Sequence, residues 1–122
     1  MARRRQRKAD LPKAPDATYT GPEDAVLVLR GSMTPRTREK YRATASGAEL
    51  APGAAREDAW QRSVEFLFER LAVRWTIAGA EPIERQKELL ARFRFAGQDE
   101  RTWIRGTLRT HLAEHFPDLE AP

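Results

Sequence analysis

"TGPEDAVLVLRG", Thr20–Gly31, can be read as a helix or as a strand, and the fold turns on which. The five apolar letters Ala25–Leu29 suit a buried strand as well as one face of a helix, because so short an apolar run carries no period of its own. The flanks favour the helix. Thr20 to Glu23 has the S/T-x-x-E spacing of a capping box, and Pro22 fits an early helical position. Glu23 and Asp24 complement the amino-terminal dipole, and Gly31 suits a terminator. A short helix is expected over roughly residues 21–30.

Downstream the same grammar repeats. In "MTPRTREKYRATASG" Thr34 is the cap, Pro35 the first helical residue and Gly47 the terminator, giving a helix over 35–46. Arg36, Arg38, Lys40 and Arg42 crowd its polar face, with Thr37, Tyr41 and Thr44 or Ala45 turned inward. The ten residues "TPRTREKYRA", Thr34–Ala43, resemble the opening helix of the DNA-clamping N-terminal domain of tyrosine recombinases, through Thr34, Thr37 and Tyr41. The resemblance implies a DNA-contacting helix and no catalytic domain, and an ordinary capped helix with Tyr41 inward accounts for the same letters.

Arg56–Ala78 is the longest periodic run. Trp60, Val64, Leu67, Phe68, Leu71, Trp75 and Ala78 fall on one arc at 100° per residue, which predicts a long central helix over 56–78. Phe66, Val73 and Ile77 form a second apolar strip on that helix, a candidate partner interface or homo-oligomer contact if the first two helices leave it uncovered. Burying three such side chains is worth about 5 kcal/mol. Helices over 82–96, opened by Pro82, and 99–116, capped by Asp99 and ended by Pro117, complete the pattern. The fold class expected is all-α, a single compact bundle of about five helices over 20–122.

Upstream, residues 1–19 hold six Lys or Arg, two prolines and one large aliphatic residue, Leu11, too little apolar surface to offset ordering entropy. They are read as a disordered basic arm. Residues 1–42 carry eleven Lys and Arg against five Asp and Glu, while 43–122 carry eleven against thirteen. The surplus therefore sits in front. Eighteen arginines to four lysines beside nineteen alanines also fit GC-rich coding, so Arg content alone carries no function. With no cysteine there is no disulfide framework and no thiolate metal site. No apolar stretch follows the basic N-terminus and none has the length of a membrane span, so a soluble cytoplasmic protein is expected.

Both histidines lie in "THLAEHFP", Thr110–Pro117, whose letters match the HxxEH pattern of the inverted zinc metalloproteases. On a helix His111 and His115 share a face and Glu114 could act on a bound water. The family's third ligand is a Glu well downstream, and seven residues follow His115. The stripe Ile104, Leu108, Leu112 and Phe116 places the imidazoles beside the core, so packing and carbonyl bonding at a helix end are expected instead of a zinc-dependent hydrolase. Arg101, Arg105 and Arg109 recur beside that stripe and are read as a solvated flank. No phosphate loop or nucleophile elbow is present, and neither catalytic residues, metal nor cofactor are expected.

What remains is a small regulatory binding module. Nucleic-acid phosphates are its expected ligand, met by Arg3, Arg4, Arg5, Arg7, Lys8 and Lys13 of the arm and by Arg36, Arg38, Lys40 and Arg42, without base reading. The alternative is a protein–protein adaptor or assembly factor of a larger bacterial or phage complex, its arm gripping an acidic partner.

Overall fold

The computed structural model describes residues 14–47 and 56–122. Ala17–Thr20 (β1) and Val26–Leu29 (β2) form an antiparallel hairpin, followed by Pro35–Ser46 (α1), Arg56–Leu71 (α2), Ala72–Thr76 (β3), Gln86–Arg94 (α3) and Gln98–His115 (α4). The strand order is β1-β2-β3, antiparallel throughout. The architecture is mixed, helices against a small sheet, and the all-α reading is corrected.

The helix expected over 21–30 is instead the loop and second strand of the β1–β2 hairpin. Leu27 and Leu29 are fully buried while Val26 and Val28 on the other face are half-exposed, the period-two signature of a sheet with one wet side. Four consecutive apolar letters hide that period in the sequence. The acids expected in a helical first turn sit instead in the hairpin loop, where Glu23 and Asp24 take positive φ of 55° and 60° and Gly21 N–H bonds Ala25 O at 2.8 Å. Ala17–Thr20, mostly assigned to the arm, supply the partner strand.

The central helix ends at Leu71, seven residues before its expected limit, and the chain turns directly into β3. Leu27 pairs with Trp75 and Leu29 with Ala72, with an irregularity between Val28 and Leu29 that leaves Val73 as the extra residue. That bulge sets Ala72 and Trp75, three apart, on one buried face. Three-apart burial is also helical spacing, so the run read as helix to Ala78. Ile83, expected inside the fourth helix, bonds the outer edge of β3 instead, with Trp75 N–H to Ile83 O at 2.9 Å and Ile83 N–H to Trp75 O at 2.8 Å. α3 accordingly starts at Gln86 rather than 82. Gly97 rather than Asp99 caps α4, and its N–H donates to Glu100 Oε1 at 3.3 Å.

The core joins Leu27, Leu29, Tyr41, Leu67, Phe68, Leu71, Trp75, Leu89, Ile104, Leu108, Leu112 and Phe116, one contiguous cluster fed by the inner face of the sheet and by α1, α2, α3 and α4. At about 1.5–3 kcal/mol for each large apolar side chain buried, this cluster decides the fold over any single cap or ion pair. Among the described residues, no helix is long and apolar enough to cross a membrane.

Candidate nucleic-acid interface

α1 carries the predicted cations on a well-made helix. Thr34 Oγ1 accepts from Thr37 N–H at 3.1 Å, and Gly47 closes the far end with φ +72°, a conformation that favours glycine. Tyr41 is buried, so the opposite face is solvent's. Arg36 and Lys40 stand exposed on it.

Arg38 and Arg42 converge on one acid from the far end of the chain. Arg42 Nη2 lies 2.8 Å from Asp118 Oδ2, and Arg38 Nη1 lies 3.5 Å from Oδ1. Arg38 is also held over the Phe116 ring, 5.1 Å from its centroid. The segment bearing Asp118 is pinned by its own contacts: Phe116 and Leu119 are buried, and the Tyr41 hydroxyl donates to Glu120 O at 2.5 Å. Burial, and then the Glu120 carboxylate, push the Tyr41 phenol up to about 12, so it stays a donor. The two ion pairs are half-exposed, and such pairs contribute about 0–1 kcal/mol.

The first described residues lie against Gly31. Ala14 and Pro15 lie so close to Gly31 that a Cβ there would overlap the Pro15 carbonyl oxygen and crowd Ala14. Gly31 precedes the Thr34 cap by three residues, and Arg30, exposed, comes just before Gly31. Arg30 stands alone between an apolar run and Gly31, so no local charge pattern marks it in the sequence. Asp118 was missed too, since no local signal links positions 76 or 80 apart in the chain. Arg3, Arg4, Arg5, Arg7, Lys8 and Lys13 lie outside the described residues.

The histidine pair is built differently. His111 is fully buried on α4 with both ring nitrogens engaged: one faces Arg30 O at 2.7 Å, the other the Tyr19 hydroxyl at 2.8 Å. A carbonyl can only accept, so Nε2 carries the proton and Nδ1 accepts from Tyr19. Burial pushes His111 below its ordinary 6.5, partly countered by the Arg30 carbonyl, with His115 lowering it further and Glu114 raising it. The His115 ring is tilted against it at 4.6 Å, with Phe116 at 5.8 Å from His111. Metal binding by His111 would break one of its two bonds, and among the described residues no group of three or more His, Asp or Glu could hold an ion. His111, the first of the HxxEH letters, joins α4 to β1 through Tyr19 and to the residue after β2 through the Arg30 carbonyl.

The other predicted groups disperse. Arg101 donates to the Ala96 and Arg94 carbonyls at 3.0 and 2.8 Å, and Arg105 stacks on Trp60 at 3.2 Å. Phe66, Val73 and Ile77 no longer share a face, because the helix ends between the first and the second. Phe66 is half-buried near Tyr41 at 6.2 Å, at the side of a groove of about 930 Å³ between α2 and the start of α4. Phe95, at the corner between α3 and α4, is 89 % exposed. Comparison with protein families, with curated proteins and with solved structures finds no match for this chain.

Proposed function

We propose that this chain is a non-enzymatic, cytoplasmic nucleic-acid-binding module that engages phosphates through its basic arm together with Arg30, Arg36, Lys40 and the Arg38/Arg42 pair. The observation that supports this reading is the cationic face of α1, on which Arg36, Lys40 and Arg42 are exposed and Arg38 is partly so. Anisotropy titration of a short DNA duplex between 50 and 200 mM salt tests it. The full chain should bind with an affinity that falls steeply with salt, by a log–log slope of about −0.9 per phosphate engaged. Removing residues 1–13, which spares β1, should cost most of that affinity. Unchanged binding after the deletion, or no salt-dependent binding by the full chain, defeats the reading.

A second reading, a protein–protein adaptor, draws support from Phe95, since a large aromatic held at a tight corner and 89 % exposed suits a partner's pocket. Loss of captured host protein in Phe95→Ser, with DNA absent, would favour it.

A further inference from the structure

We propose that Arg38 and Arg42 form a phosphate subsite in which the Asp118 carboxylate stands in for the ligand, so that the C-terminal segment competes with nucleic acid for α1. The inference rests on the reading of the chain as a nucleic-acid binder and adds to it a built site and its regulation. Each arginine addresses a different oxygen of the same anion, Arg38 to Oδ1 and Arg42 to Oδ2. Two guanidinium groups grip the two non-bridging oxygens of a phosphodiester in the same way. Arg38 is already oriented by its stacking on Phe116, so its guanidinium needs no reorientation when a phosphate replaces the carboxylate.

Asp118 is well suited to be displaced. Its side chain is 50 % exposed and that of Arg42 52 %, so a phosphate on a duplex can reach the pair and the existing contact is weak and screened. The Asp118 charge is also unnecessary for placing the segment that bears it. Leu119 is buried, Leu119 N–H bonds Phe116 O at 2.9 Å, and the Tyr41 hydroxyl holds Glu120 O. Binding therefore exchanges one anion for another on a backbone that stays in place.

Asp118→Asn is the test, read by the same duplex titration. It should tighten binding roughly 3–10-fold near 100 mM salt and steepen the salt slope by about one further phosphate. Glu81→Gln, an exposed acid in the β3–α3 connection, makes the same change in net charge and should have a much smaller effect. Arg38→Ala with Arg42→Ala in the Asp118→Asn background should abolish the gain. If binding depends on residues 1–13 but Asp118→Asn behaves like Glu81→Gln, the subsite is overturned and the function stands. If neither the natural chain nor Asp118→Asn binds, both are overturned.

Discussion

Two polar ties join distant parts of this chain, and they differ in almost everything but chemistry. His111 on α4 bonds Tyr19 of β1 and the Arg30 carbonyl from a position with no exposure, while Asp118 bonds Arg38 and Arg42 of α1 in half-open solvent. Inside, an unmade bond costs the full desolvation of its partner; outside, water takes its place. The first tie therefore holds the fold, and the second is free to be exchanged.

Breaking the buried tie should have the largest effect. His111→Ala leaves a cavity and an unpartnered Arg30 carbonyl, and should cost about 3 kcal/mol in urea unfolding. A loss below about 1 kcal/mol would place His111 among ordinary surface histidines. Acid should loosen the same tie more gently. The folded His111 has its pKa lowered below 6.5, so the folded state holds fewer protons than the unfolded one. Stability is then complete above 6.5 and falls as pH drops from there toward the lowered value, with a slope of up to about 1.4 kcal/mol per pH unit. Urea midpoints between pH 7.5 and 5 should show this fall in the natural chain and a flatter one in His111→Gln. Asp118→Asn should be the mildest change, below about 0.5 kcal/mol in stability. A larger loss would mean that the outer tie also holds the fold, and that α1 is not free to exchange it.

Legibility from sequence followed the reach of each signal. Thr34, Pro35 and Gly47 frame α1 because a cap acts within one turn of its own residues, and the inward Tyr41 follows from that frame. The arc through Trp60, Val64, Leu67, Phe68 and Leu71 marks α2 for the same local reason. The failures lie where partners are remote. Val26–Leu29 became a strand because Tyr19 and Trp75 flank Leu27 across the sheet, the second of them 48 positions away, and no cap at Thr20 could compete with that pairing. Beyond Leu71, a bulge gave strand residues the three-apart burial of a helix.

For the candidate site, the sequence marked Arg36, Arg38, Lys40 and Arg42 as a charged face but not the acid that divides them. The grouping of cations in the first third of the chain, the absence of thiol chemistry and the helical frames of α1 and α2 are properties of composition and neighbouring residues, and the sequence alone determined them. The sheet, the neutral His111 knot, the seat of Ala14–Pro15 on Gly31 and the pairing of Asp118 with two arginines were decided by tertiary structure. Each depends on groups brought within hydrogen-bond or packing distance from far along the chain, where the free energy of burial outweighs local propensity.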